Sequence, residues 1–197
     1  MALINTTTTG VLGTTIFGDG SGDLTIQQNG VTVNKITSSG LLNGAGGGPA
    51  FSAYPSAGVS AASSTWVKIP FNTEDFDTNS NYDSTTNYRF TPTVAGYYQV
   101  NYLITMPSMG NSHYIASALY RNGVVFKIGM IIAAATNITC TTHNSLILYL
   151  NGSTDFIEVY GFQGTGSTQT IAVASNATGA STIQVSNHFN ATMIRSA

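Results

Sequence analysis

The sequence predicts an all-β protein, an antiparallel two-sheet sandwich of about ten strands behind a small β-rich N-terminal segment. Three observations predict it. Apolar and polar residues alternate with the period of two that is typical of strands. β-branched and aromatic residues dominate these segments, whereas the helix formers Glu, Lys and Arg are scarce and no helical apolar stripe is sustained. Turn-forming Gly and Asn separate the segments.

The N-terminal segment, residues 1–42, carries two or three short strands with the sequences VLGTTIF, DLTIQQ and VTVNKI. So few strands cannot bury a core of their own. A stretch in which five of seven residues are Gly or Pro, NGAGGGP, follows at 43–49. Such a composition is typical of a flexible linker. We therefore interpret residues 1–42 as an attachment segment that docks on a partner, and residues 50–197 as the compact domain.

Seven segments of the domain have strand character, and the clearest is 96–104, where Tyr98, Val100 and Tyr102 share one face. The other segments are 113–121, 124–132, 138–150, 156–162, 168–174 and 182–194. Asn-Gly pairs begin at Asn29, Asn122 and Asn151. Each pair predicts a hairpin, because both residues tolerate the positive φ of a type I′ turn. After Asn151 a longer loop through Ser153 and Thr154 is the alternative.

The composition argues against two classes of partner. Only 7% of the residues are charged, against roughly 25% in ordinary domains. The net charge is −2 and no Lys/Arg cluster is present, so the chain lacks the basic surface that binds phosphates or anionic membranes. The longest apolar run, MIIAAAT at 130–136, is far shorter than the roughly 20 residues of a membrane span. We expect no nucleic-acid partner and no membrane insertion.

No pattern in the sequence indicates a catalytic centre. Cys140 and His143 lie three residues apart on a predicted strand and therefore face opposite ways, which argues against a zinc site. His113 and His188 have no Cys or carboxylate neighbours, and there is no Gly-x-Ser-x-Gly turn. We expect a non-enzymatic protein without a cofactor.

One acidic cluster offers oxygen ligands for Ca²⁺. Its members are Glu74, Asp75, Asp77 and Asp83. A solvated loop is the simpler interpretation of this cluster, and a calcium site is the alternative.

A spaced series of residues, most of them aromatic, ends in a strand of the form Gly-x-Tyr-x-Val-x-Tyr. The series is Phe71, Asp77, Tyr82, Phe90, Gly96, Tyr98, Val100 and Tyr102. Supporting stretches are PAFSAY, LILYLNGSTDFIEVYG and FNATMI, the last beginning at Phe189. Together they resemble the globular head of complement component q, one of the tumour-necrosis-factor-like jelly rolls. Two departures are the extra residue between Tyr82 and Phe90, and Val100 where the family has Phe.

The resemblance implies a homotrimer with threefold symmetry, and some members of the family bind Ca²⁺. It also implies a packing role, in the core or at the trimer contact, for eight residues. These are Phe71, Tyr82, Phe90, Gly96, Tyr98, Val100, Tyr102 and Phe189. The apolar stretch GMIIAAAT, residues 129–136, fits a location between subunits.

The N-terminal tract is similar to the short anchoring regions of tailed-bacteriophage structural proteins. The polar, weakly charged composition is typical of exported proteins, yet MALINTTTTG has no secretory signal and the single Cys forms no internal disulfide. A virion protein, assembled in the host cytoplasm and exposed after lysis, satisfies both observations.

We therefore predict a virion-surface structural protein, a homotrimeric capsid-decoration or head-fibre protein that contacts other virion proteins through residues 1–42. The 197 residues leave no room for a long shaft, which favours decoration over a tail fibre. The alternative is a tail-fibre tip or receptor-binding knob that recognises host-surface glycans through aromatic and Asn side chains.

Overall fold

The computed structural model describes residues 15–18, 24–28, 31–36, 42–44, 48–110, 112–129, 132–134, 138–172 and 187–197. Within these ranges every regular element is a β-strand, as the sequence predicts. The described ranges contain no helix with the length and apolar character of a membrane span. The chain divides into two compact units, Met1–Gly47 and Gly48–Ala197.

The first unit holds a four-stranded antiparallel meander whose strands pair in chain order. Its strands are β1 Thr15–Gly18, β2 Leu24–Gln28, β3 Val31–Ile36 and β4 Leu42–Gly44. The sequence indicates the first three, whereas β4 takes up the first two residues of the predicted linker. Ladder hydrogen bonds join backbone groups and need no side chain, so the Gly-rich composition conceals this strand. The predicted turn at Asn29 lies outside the described residues.

The second unit contains fourteen strands in its described part, eight of them five residues or longer. The longer strands are β5 Ala50–Tyr54, β8 Thr73–Asp77, β11 Gly96–Met109, β12 His113–Arg121, β13 Val124–Ile128, β15 Ile138–Leu150, β16 Ile157–Gln163 and β18 His188–Ser196. The short strands are β6 Val59–Ala61, β7 Val67–Lys68, β9 Tyr82–Asp83, β10 Arg89–Phe90, β14 Ile132–Ala134 and β17 Gln169–Ile171. Strands of two or three residues are too short to show alternation, which is why about ten were expected.

These strands form two antiparallel sheets. The first, which we call the β11 sheet, has the order β15-β11-β18-β5-β8. The second, the β12 sheet, has the order β13-β12-β16-β10-β9, with β14 also paired to β12 and β7 to β16. A small ribbon pairs β6 with β17. Buried residues from both sheets form one hydrophobic core, so the arrangement is a sandwich.

The turn between β12 and β13 is the two-residue hairpin that the sequence predicts. Asn122 and Gly123 have φ angles of 54° and 77°, and Arg121 pairs with Val124 across them. The loop after β15 is the longer alternative. There the side-chain oxygen of Asn151 accepts hydrogen bonds from the backbone N–H groups of Ser153, Thr154 and Asp155.

The bounds of several predicted strands differ from the observed ones, and β11 runs on to Met109 where 96–104 was predicted. The segment 124–132 divides into β13, which ends at Ile128, and β14, which begins at Ile132. Of the segment 182–194, residues 187–194 are described and β18 begins at His188. Gly96 opens β11 at a close backbone approach, because a Cβ there would lie 2.4 Å from the Arg195 carbonyl oxygen.

Candidate assembly surface

The eight residues that the family resemblance singled out all lie in the interior of the domain. They are Phe71, Tyr82, Phe90, Gly96, Tyr98, Val100, Tyr102 and Phe189. Phe51, which the sequence analysis did not single out, lies among them. Its ring stacks on Tyr82 with centroids 4.4 Å apart and on Phe90 at 4.7 Å, and it meets Phe189 edge-on at 4.9 Å. The only sequence signal for Phe51 was its place in PAFSAY.

The buried tyrosines of this core have hydrogen-bonded hydroxyl groups. Tyr82 Oη donates to the Phe71 carbonyl oxygen at 2.9 Å, and Tyr98 Oη donates to the Val94 carbonyl oxygen at 2.6 Å. Burial raises the pKa of Tyr98 to about 12 and also raises the pKa of Tyr82, with a further contribution from nearby carboxylates. These side chains hold the two sheets of the sandwich together and are not exposed on its surface.

Exposed apolar side chains lie on the strands of the β11 sheet. They are Phe76, Tyr97, Ile147, Tyr149 and Ile194, between 38% and 56% exposed. Tyr97 pairs with Tyr149 across β11 and β15, and their rings meet edge-on at 5.6 Å. The solvent face of a sandwich sheet is ordinarily polar, so an apolar patch of this kind is typical of a contact surface. We call the outer side of the β11 sheet the assembly face.

Uncharged polar side chains occupy the middle of the assembly face. Gln99 Nε2 donates to Ser145 Oγ at 2.9 Å, and Asn101 Nδ2 donates to Asn190 Oδ1 at 3.0 Å. These bonds cross from β11 to β15 on one side and to β18 on the other. Because these donors are paired within one subunit, the polar centre can be covered at a lower desolvation cost than unpaired amides.

A depression of about 390 Å³ adjoins this polar centre. Leu103 lies at its centre in the sheet register, with His143 on β15 and His188 on β18 as its cross-strand neighbours. His143 is exposed, whereas Cys140 on the same strand is buried, and burial raises the pKa of the Cys140 thiol. The prediction that Cys140 and His143 face opposite ways is therefore confirmed. His113 accepts a hydrogen bond at Nδ1 from the backbone N–H of Gly110.

Two carboxylates of the predicted acidic cluster, Asp77 and Asp83, serve local turns. Asp77 accepts hydrogen bonds from the backbone N–H groups of Asn79 and Tyr82. The backbone N–H of Thr86, with further donors on neighbouring residues, holds the pKa of Asp83 well below its usual range. Across the described part of the chain, no three His, Cys, Asp or Glu side chains converge as a metal site. Calcium binding by this cluster stays an untested alternative to the solvated loop.

The carboxylate of Asp155 connects two loops at one end of the sandwich. Asp155 accepts hydrogen bonds at 2.7 Å from the Asn122 side chain and the Arg121 guanidinium, and at 2.9 Å from the Asn151 backbone N–H. Burial of this carboxyl raises its pKa, but these donors outweigh that effect and hold the pKa below its ordinary value. The arrangement fixes the loops and presents no reactive group.

Comparison with known proteins finds likeness in structure alone. No protein-family model and no curated protein matches the chain. The globular domain of zebrafish complement 1qA is 16% identical, with a TM-score of 0.53 over 76% of this chain and 99% of that one. The Eiger TNF of S. frugiperda is 11% identical, with a TM-score of 0.52 over 77% and 96%. The vertex protein P5 of the phage PRD1 is 14% identical, with a TM-score of 0.51 over 76% and 99%.

Identities this low carry information about the fold alone. The similar structures have the same two-sheet antiparallel architecture that the strand order of this chain displays. The predicted jelly-roll sandwich is thereby confirmed, and the chain has the fold of the complement-q and tumour-necrosis-factor-like domains.

Proposed function

We propose that this protein is a homotrimeric, non-enzymatic structural protein of a phage virion surface. The jelly roll is the projecting knob, and residues 1–42 attach it to other virion proteins. The main support for a trimer is the assembly face. It is an apolar surface on one sheet, and the polar side chains at its centre are hydrogen-bonded to one another. The likeness to a phage vertex protein supports the virion setting. A capsid-decoration or head-fibre role is the specific form of this proposal.

The trimer buries the assembly face of each subunit around a threefold axis. The exposed rings of Tyr97 and Tyr149 supply the apolar contact, and the amides beside them, already paired within each chain, are covered together with the rings. The stretch 129–136, which the sequence analysis placed between subunits, lies partly outside the described residues. Its role in the trimer stays a prediction.

We expect light scattering to give about three times the chain mass of 20.6 kDa. Substituting Tyr149→Glu places a charge in the assembly face and is expected to give monomers, because an unpaired buried charge is costly. The matched control is Val124→Glu, since Val124 is 68% exposed on the β12 sheet and lies outside the assembly face. A wild-type monomer at micromolar concentration would overturn the trimer, and a trimeric Tyr149→Glu variant would place its contact elsewhere.

The location on the particle is tested by electron microscopy of virions that carry a tagged copy of the chain labelled with gold. We expect label distributed over the capsid. Label confined to the tail would overturn the decoration role and support the tail-fibre alternative. Virions without label, alongside normal incorporation of a tagged known capsid protein, would overturn the virion assignment itself.

A further inference from the structure

The outer face of the β12 sheet carries a continuous row of aromatic side chains. Its members are Tyr114 and Tyr120 on β12, Tyr160 and Phe162 on β16, and Trp66 just before β7. Along β12 and β16 these residues alternate with the buried Ile115, Leu119 and Val159, so their rings lie on the side away from the core. We call this set the aromatic row.

Each ring of the aromatic row contacts the next one. The centroid of Tyr114 lies 5.8 Å from Phe162, and Phe162 lies 5.1 Å from Trp66. Trp66 lies 6.3 Å from Tyr120, which in turn stacks on Tyr160 at 3.9 Å. Rings that support one another in this way are held in place before any ligand arrives, which lowers the entropic cost of binding.

Small residues next to the rings make room for them. Ala116 is the cross-strand neighbour of Phe162, and Ala118 is that of Tyr160. At Gly164 a Cβ would lie 2.4 Å from the Tyr114 ring, so glycine permits that ring its position. The row is therefore built into the sheet by its neighbours.

The aromatic row remains partly exposed. Tyr114 is 39% exposed, and the other four rings are half-buried. The chain contains a single tryptophan, and it lies in this row. The core does not need these rings, because both strands already bury their opposite faces. Exposed apolar patches with polar groups at their rim are typical of surfaces that bind a ligand or a partner.

The charged groups beside the row cancel one another. Lys68 forms an ion pair with Glu158, and its ammonium lies 5.8 Å from the centroid of Tyr160. Lys68 Nζ also donates to the Asn87 carbonyl oxygen at 3.2 Å. Glu158 is only 4% exposed. The row thus offers aromatic rings and tyrosine hydroxyls beside an ion pair whose charges cancel. Because the surface has no net charge, it complements an uncharged ligand with hydroxyl groups.

We propose that the aromatic row binds an uncharged saccharide chain. A sugar ring has an apolar C–H face that stacks on an aromatic ring, and its peripheral hydroxyls bond to polar groups such as those of Tyr114 and Tyr120. Five rings in sequence fit several units of a linear chain better than a single sugar. This inference goes beyond the proposed structural role and stands independently of it, because the row and the assembly face lie on different sheets.

The single tryptophan provides a probe at the site itself. Neutral hexasaccharides of glucose, mannose and galactose are titrated into the full-length protein while Trp66 emission is recorded, with a hyaluronan hexasaccharide as the charged comparison. We expect a saturable change in emission with at least one neutral saccharide and none with hyaluronan. No change with any neutral saccharide up to about 20 mM would overturn the proposal.

Variants assign the binding to the row. Calorimetry with the saccharide that binds is expected to show affinity about tenfold weaker for Tyr114→Ala and for Trp66→Ala, and nearly preserved for Trp66→Phe, which keeps an aromatic face. The matched control is Val124→Ala, an exposed apolar residue outside both the aromatic row and the assembly face, with unchanged affinity expected. Thermal melts verify that each variant is folded. Undiminished binding by Tyr114→Ala and Trp66→Ala would overturn the proposal. It would also be overturned if these two substitutions changed the oligomeric mass of the protein but not its affinity for the saccharide.

Discussion

Replacing Phe51 with alanine is expected to lower the free energy of unfolding by roughly 3–5 kcal/mol. Phe51 is fully buried and contacts the rings of Tyr82, Phe90 and Phe189. The substitution leaves a cavity that both sheets border, and neither sheet can close it without breaking its own ladder. Because whole domains are stable by roughly 5–15 kcal/mol, the variant is expected to be marginal.

The effect of Phe51→Ala is measured by denaturant unfolding at one fixed protein concentration, since the proposed association of subunits would also contribute to stability. Phe51→Leu refills part of the cavity and is expected to recover part of the loss. Val124→Ala is the surface control, with an expected change within about 0.5 kcal/mol because Val124 is 68% exposed. An unchanged unfolding midpoint for Phe51→Ala would mean that the ring cluster does not hold the sheets together.

The core shows what local sequence patterns can and cannot predict. The alternation in GYYQVNYLI places Tyr98, Val100 and Tyr102 on one face, and the structure buries all three. Phe51 has no such local signal. It reaches the centre of the core because β5 pairs with β8 on one side and, on the other, with β18, which lies more than 130 residues further along the chain. Pairings between distant strands are not encoded in the spacing of residues within one strand.

The assembly face was hidden for a related reason. The alternation places Tyr97 on the outer side of its strand, but one exposed aromatic residue does not predict a contact surface. The pairing of Tyr97 with Tyr149 creates that surface, because it places two exposed rings side by side. The hairpin at Asn122 was predictable because its turn conformation depends on only two consecutive residues, Asn122 and Gly123.

The aromatic row depends most strongly on contacts between residues that are distant in the sequence. Trp66, Tyr114 and Phe162 come from three different parts of the chain and meet only because β12 and β7 both pair with β16. Nothing in the sequence around any one of them distinguishes it from a core aromatic. Aromatic side chains in loops belonged to the glycan-binding alternative, but no local pattern singles out these rings on the strands.

Deleting residues 1–47 is expected to leave a folded trimer that no longer joins the particle. The cut falls at the boundary between the two units, and the next residues belong to the domain. A Cβ at Gly48 would lie 2.1 Å from the Met193 side chain, and the Pro49 carbonyl oxygen accepts a hydrogen bond from the Met193 backbone N–H. Starting at Gly48 therefore keeps every backbone contact of β18 that the domain needs.

The reason to expect loss of attachment lies in the meander. Within its described strands, β1 and β4 each pair on one side only, so each has an edge available for strand addition to another protein. The truncated and full-length chains are expressed with the same tag during infection, and their copy numbers on purified virions are compared. We expect the truncated chain to fall to background while its mass in solution stays trimeric. A truncated chain at normal copy number would mean that the jelly roll itself carries the docking surface.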